Sequence, residues 1–254
     1  MSSDAYTGTE NLEVMKEAVN YNRMLIDVVK RHARRGERVL DFGAGVGTFA
    51  LPMQRDGYAV ECVELDDAQR ATLAAQGLTV HRTLEGIRRS LEYAERHDVV
   101  LCMVNHYKDG TWRYPEFAQP EDIFLEIIEQ IDSPYFGVQY DPSNAFVGGF
   151  DPVKFLEKVR HRVVTMHASD RYLAPGATLA DLATGDGATG YASALKHGET
   201  GKGLNDYDAI FRLLADVGFS GWISVEAGLN GLEEIARSVE FLKHKRAEHF
   251  GLTG

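Results

Sequence analysis

Residues 136–167 read FGVQYDPSNAFVGGFDPVKFLEKVRHRVVTMH, and this stretch contains one complete strand–helix–strand unit. Apolar residues run through 136–140 and 162–167, whereas 152–159 has the spacing of an amphipathic helix. Asp151, followed by a proline, is typical of a helix start, because the carboxylate caps free amides and proline fits the first turn. Two strands joined by a helix in this way predict a parallel pair.

The alternation of strands and helices continues on both sides of this unit. Short apolar runs recur at intervals that leave room for a helix, which is typical of a largely parallel sheet. The glycine-rich segment 171–203 has no clear period and predicts a long functional loop or, alternatively, a disordered excursion. The predicted strands are 38–42, 59–65, 78–81, 98–104, 136–140, 162–167 and 222–226, and the predicted helices are 10–35, 48–55, 67–76, 85–96, 121–131, 152–159, 206–217 and 232–247.

The composition excludes several classes of protein. The 27 basic and 38 acidic side chains give a net charge of −11, which disfavours a nucleic-acid binder that works through bulk charge. No apolar run is long enough for a membrane span, and the first residues do not resemble a signal peptide. Cys62 and Cys102 both lie in apolar runs, so no disulfide framework is expected. We therefore expect a reduced, cytoplasmic protein with a small-molecule ligand at most and without nucleic-acid or membrane partners.

A glycine-rich turn follows the first predicted strand. The sequence VLDFGAGVGTFA at 39–50 lets the backbone approach a ligand closely, and Glu64 follows the second strand where an acid can bind a ribose. Together with YAVECVELD at 58–66, these residues resemble the first two motifs of class I S-adenosylmethionine-dependent methyltransferases. The resemblance covers 10–87 and implies cofactor contacts. Asp41 is expected near the methionine moiety, Gly43 and Gly45 under the cofactor, and Glu64 on its ribose. Gly47 is a further expected cofactor-binding residue.

The second half of the chain resembles a different family. The segments NHYKDGTWRYPEF, GVQYDPSN, VVTMHASD, HGETGKGLNDYDAI and GFSGWISVE are similar to sugar-phosphate isomerases/epimerases with a xylose isomerase-like (βα)8 barrel. The resemblance covers 88–246 and implies the last four strands of such a barrel. We therefore predict an α/β fold with about seven mainly parallel strands, in which a Rossmann-like first half joins a half TIM barrel. Barrel-like closure is favoured over an open doubly wound sheet.

The isomerase resemblance implies a divalent metal site. Asp141, His167 and Glu226 match three ligands of the family, and Mn²⁺, Co²⁺ or Zn²⁺ suits such a mixed set. The fourth position is Val104, where the family pattern has a glutamate. In the family the two glutamates also form the acid/base pair, which leaves Glu226 as the catalytic residue here. Asp170 is a candidate for orienting the histidine.

Two resemblances in one chain predict a chimera. The domains are then 1–87 and 88–254, with the junction near 86–89, one shared core and either natural or laboratory origin. The leading functional prediction is binding of S-adenosylmethionine or S-adenosylhomocysteine with little or no turnover. One alternative is a metal-dependent sugar-phosphate isomerase or epimerase weakened by Val104, and another is a ligand-free scaffold. An exposed barrel seam would favour a homodimer.

Overall fold

The structure is a computed structural model that describes residues 14–106, 118, 120–184, 194–226 and 231–251. The chain divides into two compact units, Met1–His97 and Asp98–Gly254. The predicted domains, 1–87 and 88–254 around a shared core, stay a prediction.

The first unit contains a three-stranded parallel sheet in the order β1-β2-β3. Each strand is followed by a helix, as the alternation predicts, and α1 precedes the first strand. Cys62 and Leu73 are fully buried in the core between the sheet and the helices. The elements are α1 (Val19–His32), β1 (Arg38–Phe42), α2 (Ala50–Arg55), β2 (Ala59–Val63), α3 (Asp67–Ala75), β3 (Thr79–His81) and α4 (Thr83–His97).

The second unit contains a four-stranded parallel sheet in the order β4-β5-β6-β9 and a two-stranded antiparallel ribbon, β7-β8. The helix cap predicted at Asp151 is confirmed, since its side chain accepts hydrogen bonds from the backbone N–H groups of Val153 and Lys154. The elements are β4 (Leu101–Val104), α5 (Glu121–Gln130), β5 (Phe136–Tyr140), α6 (Pro142–Val147), α7 (Pro152–Val159), β6 (Val163–Ala168), β7 (Asp170–Leu173), β8 (Leu195–Gly198), α8 (Tyr207–Asp216), β9 (Trp222–Val225) and α9 (Leu232–Phe250).

The two faces of the four-stranded sheet differ in burial. Val138, Tyr140 and Met166 are fully buried on one face. The neighbouring positions Gln139 and His167 point to the other face and are only partly buried. Successive side chains of a strand alternate between faces, so the register aligns polar residues on one side. This polar face carries the candidate site.

The predicted elements need four corrections. The helix predicted over 10–35 is α1, 19–32, and the start of the predicted range lies outside the described residues. The segment 171–203 is not simply a loop, because it contains most of β7 and all of β8. Helix α6 was not predicted. Strands and helices alternate as expected, but no Rossmann half is shown, since the order β1-β2-β3 is equally that of three consecutive barrel strands.

Closure of all seven parallel strands into one barrel stays a prediction. Among the helices described within 14–251, none combines the length and the apolar character that crossing a membrane requires.

Candidate metal centre

Three candidate ligands lie at the carboxyl ends of adjacent strands. Asp141 directly follows β5, His167 is the penultimate residue of β6, and Glu226 directly follows β9. The backbone N–H of Glu226 donates to the carbonyl oxygen of Ala168 at 3.1 Å, which extends the pairing of β9 with β6 by one residue. Because β6 pairs with both β5 and β9, the three side chains meet at one edge of the sheet.

The three side chains form a compact group of donors. Nδ1 of His167 lies 2.9 Å from Oε2 of Glu226 and 3.8 Å from Oδ2 of Asp141. One ligand atom from each residue lies within 4.8 Å of the others. We name this group, Asp141, His167 and Glu226, the triad.

Asp141 is held rigidly at the base of the triad. Its side chain is buried, and Oδ1 accepts hydrogen bonds from Oγ of Ser169 at 2.7 Å and from the N–H of Asn144 at 3.0 Å. The side chain of Asn105 donates to the carbonyl oxygen of Asp141 at 2.7 Å and accepts from its N–H at 2.8 Å. These bonds occupy Oδ1 and the backbone, so Oδ2 is the oxygen that faces His167.

The electrostatics of the triad favour a bound cation. Burial raises the pKa of Asp141, and so does the nearby carboxylate of Glu226, whereas the hydrogen bonds from Ser169 and Asn144 lower it; the pKa that results is about 6. The two carboxylates repel each other when both are ionised, and a divalent cation would remove that cost. The chemistry of the donors, one nitrogen and carboxylate oxygens, therefore fits Mn²⁺, Co²⁺ or Zn²⁺.

Three side chains near the triad were missed from the sequence. The amide of Gln139 on β5 contacts Nε2 of His167. Nε2 of His197 on β8 accepts a hydrogen bond from the guanidinium of Arg171 on β7 at 3.1 Å. Burial and that guanidinium lower the pKa of His197, while the charge of Glu226 acts in the opposite direction. Both residues of the β7-β8 ribbon lie in the segment predicted as a loop, where no periodicity could reveal them.

Val104 ends β4, and in the register its partner on β5 is Gln139. A valine offers neither a ligand atom nor an exchangeable proton, so the expected fourth ligand is absent at this position.

Asp170 does not orient His167, contrary to the prediction. Its carboxylate accepts hydrogen bonds from the backbone N–H groups of Arg171, Gly201, Gly203 and Asn205, at 2.9 to 3.3 Å. These bonds fasten the 201–205 loop to the start of β7. The position beside His167 is taken by Gln139.

The predicted cofactor residues of the first unit serve local structure. Glu64 accepts hydrogen bonds from the N–H groups of Gly45, Leu65 and Asp66, at 2.7 to 2.9 Å, so both its oxygens are occupied within the chain. Gly47 has φ +80°, and a Cβ there would lie 2.9 to 3.0 Å from side-chain carbons of Leu51 and Leu73. The glycines of this turn are thus explained by positive φ at Gly43, Gly45 and Gly47 and by close packing at Gly47, without a cofactor. Asp41 lies in β1, just before the turn.

The α/β fold agrees with a comparison against known families. The model of the xylose isomerase-like TIM barrel family matches residues 56–245, and the chain belongs to this family. The match begins before β2 and crosses 86–89 without a break. The chimera prediction is therefore wrong, and so are a methyltransferase-like first part, S-adenosylmethionine binding and an engineered origin.

The sequence identity between this chain and individual relatives is low. An inosose dehydratase of Geobacillus kaustophilus is 26% identical over 147 residues, which are 57% of this chain and 44% of that protein. The crystal structure of a xylose isomerase domain protein from Planctomyces limnophilus is 20% identical, with a TM-score of 0.51 over 66% of this chain and 52% of the other. A xylose isomerase-like TIM barrel protein from Mycobacterium smegmatis, solved in complex with magnesium, is 15% identical, with a TM-score of 0.48 over 91% of this chain and 89% of the other. The chain thus spans about half the length of the first two relatives.

Proposed function

We propose that the chain is a metal-dependent enzyme of the sugar isomerase/epimerase type. It binds a divalent cation through Asp141, His167 and Glu226 and moves a proton at the carbon beside a carbonyl group of a small polyhydroxylated substrate. The single observation that carries the proposal is the triad, with its ligand atoms within 4.8 Å of one another at the carboxyl ends of parallel strands. The matching family supports the class of reaction.

Asp141 and Glu226 take different roles in this proposal. Both oxygens of Asp141 are committed, because Oδ1 is hydrogen-bonded and Oδ2 faces His167, and so Asp141 serves only as a ligand. The side chain of Glu226 is 58% exposed and can reach a substrate as well as the triad. Glu226 therefore abstracts the proton. When bound, a divalent cation polarises the substrate carbonyl and makes the neighbouring C–H more acidic.

The proton must be returned by another group, since Val104 cannot do so. Among the described residues of the second unit, His197 is a candidate, because it is only partly buried and the charge of Glu226 acts on its pKa. The lowered pKa favours a neutral imidazole, which relays a proton when one ring nitrogen accepts a proton and the other gives up its own to the substrate. Replacement of the family's glutamate by valine leads us to expect slow turnover.

The substrate class rests on the relatives. Isomerisation, epimerisation and elimination of water from a hydroxycarbonyl compound all begin with loss of the proton beside the carbonyl. A relative named inosose dehydratase and a family named for xylose isomerase therefore share this first step, and we assign it to this chain. Because the match covers 44% of that dehydratase, the complete reaction of the dehydratase is assigned to this chain only as a proposal.

Metal binding is tested first. Protein dialysed against a chelator is titrated with Co²⁺ or Zn²⁺ by calorimetry, and Asp141→Ala and His167→Ala should each abolish tight binding. The matched control is Asp208→Asn, in the exposed group Asp208, Glu248 and His249, where Lys245 already contacts both carboxylates. Equal affinity of the wild type and the triad variants would contradict the proposal.

The reaction class is tested with the metal-loaded protein in D₂O. Ketoses and inososes are followed by NMR for exchange of the proton beside the carbonyl, which reports abstraction even when no product accumulates. Glu226→Gln should lose the exchange. If the protein binds metal but exchanges no proton on any of these substrates, it is a metal-binding protein and the enzymatic part of the proposal is refuted. If it shows no metal binding and no exchange, the ligand-free scaffold is favoured.

A further inference from the structure

The imidazole of His167 is held from both sides. Nδ1 faces the carboxylate oxygens of Asp141 and Glu226, whereas Nε2 contacts the side-chain amide of Gln139. Gln139 lies two residues before Asp141 on β5 and pairs in register with Thr165 on β6, so its side chain shares the polar face with His167. The proposed function gives no role to this amide.

We infer that Gln139 is a positioning residue that sets the orientation and the tautomer of His167, so that Nδ1 presents a lone pair to the cation. The inference rests on the proposed function, because it concerns the same triad. It adds a residue that the isomerase resemblance does not assign, and it explains why a polar side chain occupies the position on β5 that pairs with Val104.

A neutral imidazole carries one N–H and one lone pair, and the two neighbours of His167 decide which nitrogen has which. In the described arrangement the NH₂ group of Gln139 faces Nε2 and donates to it. The ring proton is then on Nδ1, which lies 2.9 Å from Oε2 of Glu226. This tautomer satisfies both neighbours when no cation is held.

A cation on Nδ1 requires the opposite tautomer. Nδ1 gives its proton to solvent and Nε2 takes one from solvent, so the imidazole stays neutral. A ligating histidine normally donates its other N–H to an oxygen acceptor. A half-turn of the Gln139 amide about its last torsion exchanges NH₂ for Oε1 and supplies that acceptor, because the two ends of the amide have nearly the same shape. Gln139 thus serves His167 in both states.

The inference predicts an order of variants at this position. Gln139→Leu keeps the approximate size but can neither donate nor accept, so Nε2–H loses its partner. Gln139→Glu can only accept when ionised, which favours the tautomer that binds a cation. The matched control is Thr165→Val, which removes a hydroxyl from the same face without removing the amide that contacts His167.

Affinity for Co²⁺ is the first readout. We expect Gln139→Leu to weaken it by roughly 10- to 100-fold, as is typical when the partner of a ligating histidine is lost. Gln139→Glu should bind at least as tightly as the wild type, and Thr165→Val should bind like the wild type. Thermal melts in chelator provide the stability of each variant separately.

The tautomer is the second readout, and a merely structural role would not change it. In Zn²⁺-loaded protein with ¹⁵N-labelled histidine, the ring proton of His167 should lie on Nε2 and exchange slowly with solvent. In Gln139→Leu it should exchange rapidly, and in Gln139→Glu slow exchange should return. If a variant does not fold, the wild-type spectrum still shows which ring nitrogen of His167 binds the metal. Ligation through Nε2 would overturn the inference.

The outcomes separate this inference from the proposed function. If the wild type binds Co²⁺ and the triad variants do not, but Gln139→Leu matches the wild type in affinity and exchange, only the role of Gln139 is refuted. If the wild type binds no cation, both are refuted. Loss of affinity in Gln139→Leu with recovery in Gln139→Glu supports both.

Discussion

Asp141→Asn should stabilise the metal-free protein at neutral pH. Burial and the carboxylate of Glu226 raise the pKa of Asp141 from its ordinary value of 3.8 to about 6. The folded state therefore binds a proton more tightly than the unfolded state, and stability falls as the pH rises from about 4 through 6. At about 1.4 kcal/mol per tenfold change in proton affinity, ionised Asp141 costs on the order of 2 to 3 kcal/mol above that range.

Asparagine removes this cost and keeps the acceptor for Ser169 and Asn144. In excess chelator, we expect the variant to melt roughly 4 to 12 °C above the wild type at pH 7.5 and close to it at pH 4.5. The exposed Asp132→Asn is the control and should show no such difference. Saturating Zn²⁺ should then stabilise the wild type alone, since the variant has lost a ligand. A gap between wild type and variant that stays constant from pH 4.5 to 7.5 would refute the argument.

Three further changes have defined outcomes. Asn105→Ala leaves the buried N–H and C=O of Asp141 without partners. We therefore expect the free energy of unfolding in urea to fall by about 1 to 3 kcal/mol and Co²⁺ binding to weaken. The control Tyr140→Phe loses the hydrogen bond to the carbonyl of Pro152 and should lower stability only. Gly203→Ala places a Cβ 2.2 Å from the carbonyl oxygen of Arg171 and 2.3 Å from Oδ1 of Asp170, so its melting temperature should fall; an unchanged melt would contradict the described 201–205 loop. Glu64→Ala removes the acceptor of three backbone amides and should lower the stability of the first unit by about 1 to 2 kcal/mol, while S-adenosylhomocysteine should shift the melt of neither protein.

The same local signals produced one useful and one misleading prediction. Asp151 identified a helix start because its carboxylate caps amides two and three residues away, which is a purely local arrangement. The glycine motif at 43–47 was an equally clear local signal. Glycine is required there, however, by positive φ and by the close approach of Leu51 and Leu73. A backbone requirement for glycine is the same whether or not a cofactor lies above it, so the motif could not decide function.

The candidate ligands could be named from the sequence because they match three ligand positions of the family that the second half resembles, and each also lies at or just beyond a predicted strand. Parallel strands place their carboxyl ends at one edge, and this brought Asp141, His167 and Glu226 into one predicted site. Gln139 gave no such signal. Its position alternates with buried residues in an ordinary strand, and only the register of β5 against β6 shows that its amide contacts the imidazole.

The sequence by itself determined the alternation of helices and parallel strands, because this depends on periodicity, caps and the order of residues along single elements. The three side chains of the triad were predicted from the resemblance to the isomerase family. The tertiary structure decided that Asp170 fastens a loop instead of orienting His167, that β7 and β8 pair within a glycine-rich segment, and that Oδ2 of Asp141 is the oxygen facing the imidazole. Those features depend on hydrogen bonds between residues that are 26 to 36 positions apart, as between Asp141 and Asn105 or Arg171 and His197, and no local pattern encodes such contacts.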